Sequence, residues 1–213
     1  MFEKAQRKVA ECTFFLRQLR ETQDSDATEF FFNALLNAGK NVVYALHAQV
    51  YSYERTCLPC EQAKKKAKQA CTDHIKAWKR TTAGFHPTLF DVLQDSRDIE
   101  MHADSSAMRY LPQTKERQQP RFVPPDAHYT PVAAFYMAIG VLSADVTVPT
   151  TIYHLQVNPT VSAKKSVQAR LKQFAKGKPK PIGELATTYA DLLDSLVKYF
   201  ITHYVPPAPA LAP

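Results

Sequence analysis

A chain of 213 residues with 45% hydrophobic and 11% aromatic side chains can bury a real core within one domain of ordinary size. Four cysteines at this length argue against a disulfide scaffold, and the longest apolar run, 132–144, is too short and interrupted to span a bilayer. Only five glycines favour helices over a many-stranded sheet, while a formal charge of +7 favours an acidic partner such as nucleic acid.

The opening MFEKAQRKV lacks the apolar core of a signal peptide, so a cytoplasmic protein with no membrane association is expected. Residues 2–21 predict a first helix. Phe2, Ala5, Val9, Cys12, Phe15, Leu16 and Leu19 recur at spacings of three and four, which makes one apolar stripe. Asp24, Ser25 and Asp26 supply N-cap chemistry for a second helix over about 27–55. Its broad apolar face runs from Phe30 to Tyr53, and the small residues Ala34, Ala38, Gly39 and Ala45 invite close approach of another helix. Phe30, Phe31, Phe32 and Tyr44 sit at core spacing. Pro59 ends this helix or opens a Lys- and Ala-rich third one over about 60–80.

His86-Pro87 precedes a fourth helix, about 87–110, whose apolar positions Leu89, Phe90, Leu93, Ile99, Met101, Ala107 and Met108 bracket Arg97 and His102. Residues 111–131 read as a Pro-, Gln- and charge-rich connection, and 132–144 as a short helix or strand. The segment 146–157 (VTVPTTIYHLQV) is β-rich, with Pro149 limiting it to an edge or splitting it. A basic loop over 160–181 leads to a last helix at about 182–204, and the tail 205–213 is expected to be disordered. The expected fold is mainly α. It is an up-and-down bundle of four to five helices over 1–204, with a β and loop insertion at about 111–181 and a small β element near 146–157.

The segment Ser96-Arg97-Asp98-Ile99-Glu100-Met101-His102 carries the strongest chemical signal. On a helix, Asp98 and His102 at i and i+4 share a face. Arg97 lies roughly 140° away from His102 and reaches round with its long side chain. Asp98 can accept a hydrogen bond from one ring nitrogen of His102, leaving the other for proton transfer. A guanidinium, always charged and fork-shaped, suits a phosphorane.

With the long aromatic-rich helix FFFNALLNAGKNVVYALHAQV, Trp78 and HPTLFDVLQDSRDIEMH, this segment resembles the HEPN family of helical domains. That family's signature is R-x4–6-H, and the likeness covers roughly 10–110 and, more loosely, the last helix. The resemblance implies a metal-independent endoribonuclease that needs no cofactor. It would act as a homodimer with a composite site: Arg97 as phosphate stabiliser, His102 as acid/base and Asp98 orienting His102. It also implies toxin–antitoxin or defence-type biology with RNA as substrate and a cognate antitoxin as partner. The family's frequent H-x-Y continuation is replaced here by Asp104. That substitution leans toward the alternative, a non-catalytic HEPN-like module that binds nucleotide, RNA or a partner protein.

Lys164, Lys165, Arg170, Lys172, Lys176, Lys178 and Lys180 form an acid-free cluster suited to a phosphate backbone, and Lys64, Lys65, Lys66 and Lys68 form a second. Cys57, Cys60, Cys71 and His74 offer the ligand types of a Cys3His zinc site. No metal is expected, however, because an unbroken helix over 61–77 would hold Cys60 and Cys71 about 16 Å apart. A Cys57/Cys60 redox pair lacks a strand–helix context, and Cys12 and Cys71 are expected to pack as small apolar residues.

Overall fold

The computed structural model describes residues 2–22, 24–81, 89–95, 108–121, 144–157, 165–175 and 180–207. In chain order the described elements are α1 (Glu3–Glu21), α2 (Ser25–Arg55), α3 (Cys60–Thr81), α4 (89–95), β1 (Met108–Arg121), β2 (Ala144–Val157), α5 (Lys165–Ala175), β3 (Lys180–Pro181) and α6 (Ile182–His203). The chain is therefore mainly α with a small three-stranded sheet of order β1-β2-β3. It divides into two compact units, one of Met1–Leu111 with Tyr153–Pro213 and one of Pro112–Ile152.

The first unit contains an up-and-down arrangement of α1, α2, α3 and α6. Local sequence sets the helix boundaries. Asp24 caps α2, its Oδ1 accepting from the Ala27 N–H at 2.8 Å, a contact worth about 1 kcal/mol. Pro59 opens α3, its carbonyl accepting from the Ala63 N–H. Directions follow from the end contacts. Phe2 packs edge-on against Tyr53, Phe200 and Tyr204, while at the other end of α1 Arg20 donates to Thr187. On α3, His74 lies against Phe200 and Trp78 Nε1 donates to Ser195 Oγ at 3.1 Å.

The shared core draws on one stripe from each helix: Cys12 and Leu16 from α1, Leu35, Val42 and Leu46 from α2, Trp78 from α3, and Leu193, Leu196 and Phe200 from α6. Phe2 holds a left-handed backbone at φ 63°, a conformation costing roughly 1–2 kcal/mol for a residue with a Cβ. Complete burial of its ring, worth about 1.5–3 kcal/mol, offsets that cost. Phe32 is fully buried as expected, but Phe30 and Tyr44 are exposed. Phe30 stands two residues from Phe32, roughly 200° round the helix, so the two cannot share the core face.

The second unit carries most of β1 and β2. Met108–Arg121 is a strand, where the sequence suggests the end of the motif helix to 110 and then a connection. Pro112 and Pro120 read as loop punctuation, but among the described strands β1 lies at the edge of the sheet, where proline is tolerated. β2 spans the expected β segment, and Pro149 does not split it. β3 pairs antiparallel with β2 at His154 and Leu155, leaving Pro149 beyond its reach. The reading of 132–143 lies outside the described residues.

The stretch 160–181, expected as a basic loop, contains α5 and β3. Val167, Leu171 and Phe174 repeat at i, i+4 and i+7, and Leu171 is fully buried. This short apolar stripe folds a basic segment onto the bundle as a helix. Among the described residues no helix is long and apolar enough to cross a membrane.

Candidate functional site

The expected catalytic residues Arg97, Asp98 and His102, with Asp104, lie outside the described residues. What is described is the helical stretch 89–95 that precedes them in sequence. The described part of α4 reaches Asp95, two positions before Arg97 in sequence, and four of its seven described residues (Leu89, Phe90, Val92 and Leu93) are buried. The Phe90 ring meets Trp78 edge-on at 5.4 Å and lies 6.1 Å from Tyr189.

Three polar links then tie α4 to three different helices. Lys79 of α3 donates to Asp91 Oδ1 at 2.5 Å, with its ammonium 5.5 Å from the centre of the Phe90 ring. Gln94 Nε2 donates to the Tyr189 hydroxyl of α6 at 2.6 Å. Arg170 of α5 donates from both Nε (2.8 Å) and Nη2 (2.5 Å) to Asp95 Oδ2. The ionic links are only partly exposed, with side-chain exposures of 22% and 31% for Lys79–Asp91 and 35% and 21% for Arg170–Asp95. Tyr189 is fully buried, and burial pushes its hydroxyl well above the usual phenol range, so it stays protonated.

The sequence nominates none of Lys79, Asp91, Gln94, Asp95 or Tyr189. The available signal is the polar set Asp91, Gln94 and Asp95 at i, i+3 and i+4 in the stretch 89–95, whose other residues are apolar. Its partners lie 12, 95 and 75 positions away, where spacing is silent.

The basic cluster divides by face. Lys165 and Lys172, seven residues apart, share the exposed side of α5, and Lys180 is exposed at the start of β3. Arg170 lies on the side of α5 that holds Leu171, its guanidinium occupied by Asp95. Lys164, Lys176 and Lys178 lie outside the described residues. In the second cluster Lys64, Lys65 and Lys68 are exposed. Lys64 is bonded to Glu61 at 2.9 Å, and Lys66 stands 3.3 Å from the buried Glu54 carboxylate. Two of these four cations therefore already face an acid of this chain.

The structure does not bring Cys57, Cys60, Cys71 and His74 together. Cys60 and Cys71 lie on one continuous helix, about 16 Å apart along its axis. His74 Nδ1 is 2.9 Å from the Ala70 carbonyl and its ring lies against Phe200 and Tyr204. Cys71 is buried, and burial pushes its thiol up to about 12, away from the thiolate a metal requires. Among the described residues no cluster of three or more His, Cys, Asp or Glu can hold a metal ion. Cys60 opens α3 and lies 3.2 Å from the Tyr51 hydroxyl.

No family model, curated protein or solved structure matches this chain. What the described residues supply is a core-packed, triply tethered helix that precedes the Arg/His segment in sequence, beside a helix that presents cations outward.

Proposed function

We propose that the chain is a HEPN-like, metal-independent endoribonuclease of the toxin or defence type, acting as a homodimer in the cytoplasm with a composite Arg/His site. The observation that carries the reading is the anchoring of α4. A helix fixed by Phe90 and Leu93 in the core, and by Lys79, Tyr189 and Arg170 at its polar positions, leads directly in sequence to Arg97, Asp98 and His102. A rigid lead-in suits chemistry that tolerates little misplacement of its groups.

In the proposed reaction a base removes the proton of a ribose 2′-hydroxyl. The O2′–P bond forms as the P–O5′ bond breaks, and an acid protonates the leaving 5′-oxygen. His102 supplies acid/base function with Asp98 orienting its ring, and Arg97 neutralises charge growing on the phosphorane. The products are a 2′,3′-cyclic phosphate and a 5′-hydroxyl, and no metal enters the balance. The exposed Lys165, Lys172 and Lys180 give the RNA backbone a counter-charge, and a cognate antitoxin is the expected protein partner.

The test is cleavage of a defined single-stranded RNA in EDTA by wild type and His102→Ala. The expected outcome is wild-type cleavage with cyclic phosphate ends and a loss of at least about a hundredfold in the mutant. Equal activity in both proteins would remove His102 from the chemistry. A second reading, a non-catalytic module for nucleotide, RNA or a partner protein, is favoured by Asp104, a carboxylate that repels phosphate two residues after His102. RNA binding without cleavage by the wild type would select it.

A further inference from the structure

α5 has two chemically different sides. Around the helix, Lys165 and Lys172 project on one side with Ser166, Ala169 and Gln173, all exposed. Leu171 is fully buried on the other side, flanked by the partly buried Val167, Phe174 and Arg170. Lys165 and Lys172 are seven residues apart and nearly eclipsed, whereas Arg170 stands roughly 140° from Lys165.

Arg170 is also electrostatically spent. Two of its five N–H donors converge on one oxygen of Asp95. Moving its guanidinium to a phosphate would strand the Asp95 carboxylate, whose side chain is only 21% exposed. Sequence spacing groups Arg170 with the phosphate-binding lysines. Its geometry joins it to Asp95, on the helix that precedes the Arg97–His102 segment in sequence.

We infer that Arg170 is a positioning residue: through Asp95 it couples α5, which meets the RNA backbone with Lys165 and Lys172, to the helix that leads into Arg97 and His102. The inference rests on the ribonuclease reading above. It adds that one helix both contacts substrate on its outer side and holds the lead-in helix of the site on its inner side.

The experiment compares wild type, Arg170→Gln, Asp95→Asn, the double variant and the charge-reversed pair Asp95→Arg/Arg170→Asp. It measures kcat and KM on a defined single-stranded RNA in EDTA, and the salt dependence of binding to its non-cleavable 2′-deoxy analogue. Each single variant is expected to lower kcat about tenfold, with the double no worse than either single, as for residues that act as a unit. KM and the salt slope should stay at wild-type values, and the charge-reversed pair should regain most of the lost kcat.

Lys172→Gln is the contrast. It should raise KM and lessen the salt slope by about 0.7, the loss of one phosphate contact on a single strand. If Arg170→Gln instead lessens the slope by that amount while Asp95→Asn leaves kcat alone, Arg170 is a phosphate contact and the inference fails. Should Arg170→Gln not fold, Arg170→Lys keeps the charge without the two-pronged donor. It is expected to lose kcat at an unchanged salt slope, and an unchanged kcat would overturn the inference.

If the wild type cleaves no RNA, the ribonuclease reading falls separately. The coupling is then judged by amide hydrogen exchange over 89–102. Equal, non-additive acceleration in Asp95→Asn and Arg170→Gln upholds it, and unaltered exchange overturns it.

Discussion

At Gly39 a hydrogen takes the place of a side chain because Tyr189 occupies the space. A Cβ built there would lie 2.5 Å from both Cε1 and the hydroxyl oxygen of Tyr189. The phenol cannot swing aside, since it is fully buried and bonded to Gln94. Gly39→Ala should therefore destabilise the protein by about 1–3 kcal/mol, the usual cost of overpacking, although alanine is the better helix former. Urea unfolding will measure the loss. The pairing with Tyr189→Leu should be strongly non-additive, because shortening the ring removes the clash. The buried thiols give a second test. Burial pushes Cys12 and Cys71 up to about 12 from an ordinary 9.0. Between pH 9 and 12 the unfolded chain releases protons that the folded one keeps. Stability is thus fully present below pH 9 and falls as pH rises, by about 1.4 kcal/mol per pH unit for each thiol. Tyr189, also raised by burial, adds to the decline above pH 10. Thermal melts from pH 8 to 11 should show the fall, with a shallower slope in Cys12→Ala.

At the scale of the element, the described turns of α4 are held by tertiary packing more than by local propensity, as is usual for helices in proteins. Its order derives from what it touches, above all Phe90, set between Trp78 and Tyr189 and under the Lys79 ammonium. Phe90→Ala is expected to cost about 3–5 kcal/mol and to accelerate amide exchange over 89–95 ahead of α2 and α6. Uniform acceleration across the bundle would show that α4 unfolds only with the whole. The long helices α1, α2, α3 and α6 are legible in sequence because each buries a stripe of period 3.6, such as Leu185, Tyr189, Leu192 and Leu196 in α6. α5 is not, because its three-residue stripe is submerged among basic residues whose charge suggests a loop. β1 is not, because its prolines describe an edge strand and a connection equally well. The partners of Asp91, Gln94 and Asp95 are invisible for a different reason: a hydrogen bond across 75 or 95 positions leaves no local pattern.

For the whole molecule, the proposed reaction takes its groups from two chains. One motif offers one Arg97 and one His102, and a composite cleft sets the guanidinium of one copy and the acid/base histidine of the other against the same phosphate, so one of each from opposite copies is the minimum it needs. Two copies meeting about a two-fold axis would bring both motifs into one cleft, the self-complementary geometry of a symmetric dimer. Arg97→Ala alone gives clefts with two histidines and no arginine, and His102→Ala alone gives clefts with two arginines and no histidine. Both should be inactive, yet exchange between them creates clefts holding one of each. Mixing the two variants under conditions that permit exchange should therefore restore cleavage well above either protein alone, unaffected by EDTA. The restored rate should fall on dilution as dimers dissociate. A site complete within one chain predicts the opposite: the mixture would stay as inactive as its components at every concentration. Sedimentation velocity on the same samples separates the remaining case. A chain that stays monomeric throughout has no composite cleft, and its Arg97 and His102 would then have to be read as residues of a binding module.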